Sequence, residues 1–156
     1  MVKKFFFIWV AILLAFNGTV FAEDWICIAK TAKGEYYVDR DNFKYYRDNN
    51  STDKNTVEAG VKWVLSPDEI KRGIESAKAD NNYSEKWENI RYLMMFCRYR
   101  LDERQSSFRH GILYDKNDNI VFSLDVNLEY QPIKPGSNEE WVFELITDAV
   151  KNGRVK

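Results

Sequence analysis

Residues 137–153 read SNEEWVFELITDAVKNG, and both ends of a helix can be identified in this stretch. Ser137 and Glu140 have the Ser-x-x-Glu spacing of a capping box, in which each side chain satisfies a backbone N–H near the other. Gly153 can adopt the left-handed conformation that ends a helix. The apolar residues recur at three- and four-residue steps and therefore share one face: Val142, Leu145, Ile146, Ala149 and Val150. Because an isolated helix this short is marginal in water, the pattern predicts a final helix packed on another element.

The segments before this helix carry the two-residue alternation of strands. Gly34 lies in a turn between the first two of them, and the polar run 115–119 separates the last two. Strands are predicted for residues 25–31, 35–39, 57–65, 108–114 and 120–128, with a shorter strand or a turn at 43–46. Hairpin connections of this kind favour a mostly antiparallel sheet of about six strands.

Residues 90–101 are apolar on both sides of the alternation, with Tyr92, Met94 and Phe96 opposite Leu93 and Met95. This pattern favours a central strand covered on both faces, although periodicity alone also allows a buried helix. Residues 66–79 begin with a serine cap and a proline and predict a short surface helix between strands. Residues 49–55 are polar and are expected to form a loop. The predicted fold class is α+β, with the C-terminal helix packed on one face of the sheet.

The first 22 residues have the features of a secretory signal peptide. Lys3 and Lys4 precede an unbroken apolar run at 5–16, and Val20 and Ala22 occupy the positions expected before a cleavage site. The alternative, a membrane anchor, needs about 20 apolar residues. We therefore expect an exported protein, periplasmic or displayed at the cell surface, with a single domain at residues 23–156. No membrane span is expected after cleavage, since no second apolar run follows.

The composition argues against several classes of function. Cleavage would remove two lysines and no acidic residue, so the formal charge would change from −1 to −3, which disfavours nucleic-acid binding. His110 is the only histidine, and the sequence supports neither a zinc site around it nor a triad with Ser106 and Ser107. We therefore expect no catalytic site, no metal site and no cofactor.

The two cysteines, Cys27 and Cys97, both remain after cleavage. An even number of cysteines in an oxidising compartment favours a disulfide between them. The alternative is two buried free thiols on neighbouring strands.

Aromatic residues are abundant, and eighteen of them lie after residue 22. Consecutive tyrosines in a strand must point to opposite faces, so one core cannot bury all of them. Tyrosine and arginine are enriched in protein interfaces. The sequence thus suggests a partner-binding patch, with a second face covered by a helix or loop as the alternative. The candidate residues are Tyr36, Tyr37, Arg40, Lys44, Tyr45, Tyr46 and Arg47.

Five stretches spread over most of the domain resemble the surface-adhesin protein E-like family. They are Trp25, the run from Gly34 through Tyr36-Tyr37-Val38-Asp39, the strand through Trp63, Phe96-Cys97-Arg98-Tyr99-Arg100, and residues 132–139. The resemblance implies a small exported bacterial domain with an antiparallel sheet and a helix. It also implies a non-enzymatic function, because the namesake is an adhesin that binds host matrix and plasma proteins.

The sequence departs from that family in two respects. The resemblance implies a cysteine near the chain end as the partner of Cys97, and the final helix has none, so Cys27 would have to replace it. The namesake is a lipoprotein, and this chain lacks the anchoring cysteine.

A second hypothesis is a periplasmic accessory protein, such as an inhibitor of a secreted hydrolase. Its inserting loops would be residues 48–55 or 80–84.

Overall fold

The computed structural model of this chain describes residues 25–156, so the expected signal peptide at residues 1–22 lies outside the described residues. The described part contains one sheet and two helices. The strands are β1 Trp25–Thr31, β2 Gly34–Asp39, β3 Lys44–Asp48, β4 Ser51–Leu65, β5 Ile90–Arg100, β6 Gln105–Asp115, β7 Ile120–Asp125 and β8 Gln131–Pro132; the helices are α1 Pro67–Ala79 and α2 Asn138–Lys151. Short 3₁₀ helices follow β2 at Arg40–Asn42 and precede β5 at Glu85–Asn89.

All strand pairs of the described residues are antiparallel. Six strands follow one another across the sheet in the order β1-β2-β4-β5-β6-β7, while the short β3 and β8 pair with β4 and β6. The long β4 pairs along one edge with both β2 and β3, and along its other edge with β5. The predicted α+β class, with a mostly antiparallel sheet and a C-terminal helix, is confirmed.

Helix α2 begins and ends where the sequence predicts. The Oγ atom of Ser137 accepts a hydrogen bond from the Glu140 N–H at 3.3 Å. The carboxylate of Glu140 accepts the Gly136 N–H at 2.7 Å, which lowers the pKa of Glu140. At the other end, Gly153 has a φ of +65° and ends the helix. Both capping interactions are local, which is why they could be inferred from the sequence.

The main core lies between α2 and one face of the sheet. Ile146 and Val142 are 0% and 1% exposed, and they belong to the same cluster as Val57 and Tyr99 of the central strands. A second, smaller cluster lies under α1, where Ala77 joins residues of β6 and of the 3₁₀ helix before β5. Both helices therefore pack against residues that alternate onto the same side of the sheet.

Two local expectations are wrong. Residues 49–55 do not form a loop, because β4 begins at Ser51 and pairs with β3 after a turn at Asn49 and Asn50. Asn49 adopts a φ of +30°, which asparagine tolerates better than most residues, so a tight turn is possible there. Nor is β5 covered on both faces, since Phe96 is 40% exposed on the side away from the helices.

The structure also contradicts the predicted disulfide. Cys27 and Cys97 are both free thiols, and β2 and β4 lie between their strands in the sheet. At about 4.8 Å per strand, this separates the two strands by roughly 14 Å. A disulfide requires Cα atoms within about 7 Å. The two side chains also leave the sheet on opposite faces, because Cys27 pairs with Tyr37 on one face and Cys97 with Ala59 on the other.

The two thiols are expected to differ sharply in reactivity. Cys27 is exposed, whereas burial raises the pKa of Cys97 to about 12. Because the thiolate is the reacting form, a thiol reagent at pH 8 should label Cys27 in the folded protein and Cys97 only after unfolding. Mass spectrometry of labelled peptides checks this, with protein denatured without a reductant as the control. Absence of labelling at both cysteines in that denatured sample would show a disulfide and contradict the structure.

Candidate binding face

The sheet has one face covered by helices and one face that neither helix covers. Residues paired across the strands share a face, so the cross-strand set Trp63, Leu93 and Leu113 lies towards the helices. The set Gly60, Phe96 and His110 lies on the other side. We call this other side the open face. Its central residues are Glu58, Gly60 and Lys62 of β4 and Met94, Phe96 and Arg98 of β5.

A pocket of about 410 Å³ lies on the open face, above Gly60. A Cβ atom at Gly60 would lie 3.5 Å from Met94 Cε and 3.8 Å from Phe96 Cε1. These are ordinary van der Waals distances, so a side chain could be attached without moving the strand, and it would extend into the pocket. Gly60, Met94 and Phe96 form the floor of the pocket, and none of them carries a polar side chain. The space above Gly60 is open because this residue has no side chain. Trp25 forms part of the wall.

One side of the rim is built from an ion pair and an aromatic ring. Arg98 Nε donates to Glu58 Oε1 at 2.8 Å, and the guanidinium lies 3.8 Å from the centre of the Tyr46 ring. Burial alone would lower the pKa of Arg98, but the hydrogen bond and charge of Glu58 outweigh it and raise that pKa. Both groups are partly solvated, so the pair is worth at most about 1 kcal/mol of stability. Its main effect is to hold Arg98 and Glu58 in a fixed arrangement beside the pocket.

The other rim residues carry charges with different surroundings. The buried Asp39 carboxylate accepts hydrogen bonds from the Asp41 N–H at 3.0 Å and from Asn42 Nδ2 at 2.7 Å, which fixes the turn after β2. Arg109 lies over the Tyr130 ring at 5.0 Å and contacts the side chain of Asn127. Lys44 is exposed, and its ammonium group forms no ion pair within residues 25–156.

The neighbouring part of the open face holds a second depression of about 380 Å³, whose lining includes Lys62, Tyr92 and Asp118. Lys62 Nζ lies 4.3 Å from the centre of the Tyr92 ring and 5.4 Å from that of Trp25. Tyr92 in turn stacks on Tyr114 with ring centres 4.9 Å apart, and its hydroxyl donates to Asp118. These contacts place an ammonium group and a carboxylate beside the rings, so the lining of this depression is less apolar than that of the pocket above Gly60.

The seven residues predicted as a binding patch do not form one surface. Tyr36 stacks on Trp63 at 5.3 Å on the helix side, where burial raises the pKa of its hydroxyl, and Tyr45 also packs against the main core. The remaining five lie elsewhere: Tyr37, Lys44 and Tyr46 on the open face, Arg40 in the 3₁₀ helix and Arg47 on the exposed end of β3. Alternation along the strands separates consecutive tyrosines, as the sequence required.

None of the residues predicted for the binding patch forms the floor or the wall of the pocket. The residues that build it are Trp25, Gly60, Met94, Phe96, Arg98 and Arg109. Gly60 holds a position in the alternation of β4 that its neighbours on the same face, Glu58 and Lys62, fill with long side chains. This was the available signal, since a glycine inside a strand often marks a close approach or a ligand. Without the register that places Met94 and Phe96 beside it, the signal could not be interpreted.

The histidine does not complete a catalytic triad with the serines considered from the sequence. His110 Nδ1 lies 2.6 Å from Asp125 Oδ1, and its ring contacts Phe96 with centres 5.7 Å apart. Ser106 pairs with Tyr99 on the helix side, while the hydroxyl of the buried Ser107 donates to the Leu128 carbonyl at 2.6 Å. Neither serine is therefore placed as a nucleophile for His110.

We take the pocket above Gly60 as the candidate site, because it combines an apolar floor with a charged rim. Within residues 25–156, neither helix has the combined length and apolar character that crossing a membrane requires. Comparison of the chain with protein-family models, curated proteins and solved structures finds no match.

Proposed function

We propose that this chain is an exported, non-enzymatic binding domain that recognises a protein partner through the open face. The observation that carries the proposal is the pocket of about 410 Å³ on a sheet face that neither helix covers. Its walls and rim contain the residue types that supply most of the binding energy in protein interfaces, namely Trp25, Tyr46 and Arg98.

The shape of the site favours a protein over a small molecule. The pocket opens onto the sheet around it, and Phe96 at its floor is 40% exposed. Small-molecule sites usually bury most of their ligand in a closed cleft. A side chain presented by a larger surface would fill the pocket while the partner covers the surrounding sheet. This is the usual arrangement of an apolar centre within a polar rim.

The resemblance to the surface-adhesin protein E-like family supports an exported adhesin-like function, and host matrix and plasma proteins are the first partners to test. The alternative is an accessory or inhibitory protein acting on another protein inside the envelope. The polar hairpin at Arg47–Thr52 favours this alternative, because its residues are exposed and line a depression of about 260 Å³. Both functions would use a protein partner, and they differ in where that partner is met.

The test combines location with binding. Intact producing cells treated with an impermeant protease should lose the domain, and the purified domain should bind at least one member of a panel of matrix and plasma proteins in a surface plasmon resonance assay. Cells lysed before protease treatment provide the control for intrinsic cleavability. Protection on intact cells, with cleavage only after lysis, would contradict surface display and favour the envelope-internal alternative.

A further inference from the structure

We propose that the pocket above Gly60 receives a large apolar side chain of the partner, and that this side chain is flanked by a carboxylate. The proposal rests on the proposed function, because it specifies which protein segment the open face would bind. The juxtaposition that carries it is an apolar floor beside Lys44 and Arg109, two cations that form no ion pair with an acidic group of the described residues, in a rim with more cations than acids.

The floor determines the apolar part of the ligand. Gly60, Met94 and Phe96 line it without a polar side chain, and Trp25 forms a wall. A pocket of about 410 Å³ can accept the largest side chains, including phenylalanine, leucine and tryptophan. A polar side chain placed on this floor would lose hydrogen bonds to water without replacing them. A charged side chain is therefore disfavoured at the floor and restricted to the rim.

The rim determines the charge of the neighbouring group. Its two acids are Glu58, which pairs with Arg98 at 2.8 Å, and Asp39, which accepts two hydrogen bonds from neutral donors of its own turn and keeps its charge. Three cations, Lys44, Arg98 and Arg109, line the same pocket, so its rim carries one net positive charge. Lys44 and Arg109 remain as cations without an acidic partner among residues 25–156. Both line the pocket. A carboxylate beside the apolar side chain would therefore gain attraction, whereas a lysine or arginine there would face like charges.

The experiment is selection from a random twelve-residue peptide library displayed on phage, using the immobilised wild-type domain. Each enriched peptide is then synthesised, and its Kd is measured by fluorescence anisotropy on the wild type and on Gly60→Leu, in which the new side chain occupies the pocket. We expect enriched peptides to share a large apolar residue adjacent to Asp or Glu. Their binding should weaken about 10- to 100-fold on Gly60→Leu.

The charge requirement has its own matched pair of variants. Lys44→Glu reverses an exposed charge at the rim, and Lys71→Glu makes the same change on the exposed side of α1, away from the open face. At low salt, the acidic peptides should bind about tenfold more weakly to Lys44→Glu and equally well to Lys71→Glu. Equal weakening by both variants would show a general effect of net charge and would overturn the assignment of the carboxylate to this rim.

The outcomes separate this inference from the proposed function. Peptides that depend on Gly60 but are basic, or lack an acidic residue, would overturn the inference and leave a protein-binding open face intact. Enrichment without any peptide that depends on Gly60, or no enrichment at all, would overturn the inference, while binding of a whole matrix or plasma protein that Gly60→Leu weakens would still support the proposed function.

Discussion

Replacing Ile146 with alanine is expected to lower the free energy of unfolding by about 2–5 kcal/mol. Ile146 is fully buried between α2 and the sheet, in the cluster that contains Val57 and Tyr99. The substitution removes apolar contacts and leaves a cavity at the centre of the main core, so both effects act in the same direction. Because domains of this size have total stabilities of about 5–15 kcal/mol, the variant should unfold at a clearly lower urea concentration.

The control for this prediction is Trp141, five residues earlier on the same helix. Trp141 is 58% exposed and lies outside the main core cluster, so Trp141→Ala should lower the free energy of unfolding by less than Ile146→Ala. Urea unfolding followed by circular dichroism gives both values. A loss below 1 kcal/mol for Ile146→Ala would contradict the location of the main core.

Helix α2 could be predicted because its determinants lie close together in the sequence. The cap at Ser137, the stop at Gly153 and the apolar face between them act within one turn of their targets. Gly34 was identified in the same way. Its φ is +135°, and a Cβ atom there would lie 2.0 Å from the Val64 carbonyl oxygen. Only glycine fits such a position.

The sheet was harder to predict, because its pairing depends on distant residues. Nothing near residue 51 indicates that β4 begins there, since its first residues are polar and exposed. These residues form a strand because, after the turn at Asn49, the chain folds back and they pair with β3. Likewise, the apolar character of Tyr92, Met94 and Phe96 suggested a second buried face. In the structure these three side chains lie on the open face, where the ammonium group of Lys62 packs over the ring of Tyr92.

The candidate site could be predicted only in its residue types. Tyrosines beside basic residues on an uncovered surface were expected, and Tyr46 and Lys44 do lie beside the pocket. The pocket itself arises from a missing side chain at Gly60 together with neighbours supplied by another strand. The disulfide prediction failed for a related reason, because cysteine count and compartment do not specify how many strands lie between two residues.

Filling the pocket is expected to have the largest effect on binding. In Gly60→Leu the added side chain would occupy the space next to Met94 and Phe96 without a backbone clash, because the Cβ position is free. Glycine inside a strand is entropically unfavourable, so the variant should fold with at least wild-type stability. Exclusion of one buried apolar side chain of the partner should weaken binding about 10- to 100-fold.

The measurement that tests the central claim most directly is the Kd of a matrix or plasma protein that binds the wild-type domain, determined in parallel for Gly60→Leu and Trp141→Ala. Thermal unfolding of each variant shows that it is folded. A partner held on the open face should bind Gly60→Leu about 10- to 100-fold more weakly and Trp141→Ala with an unchanged Kd. An unchanged Kd for a folded Gly60→Leu variant would show that the partner does not use the pocket, and would contradict the assignment of the open face as the binding surface.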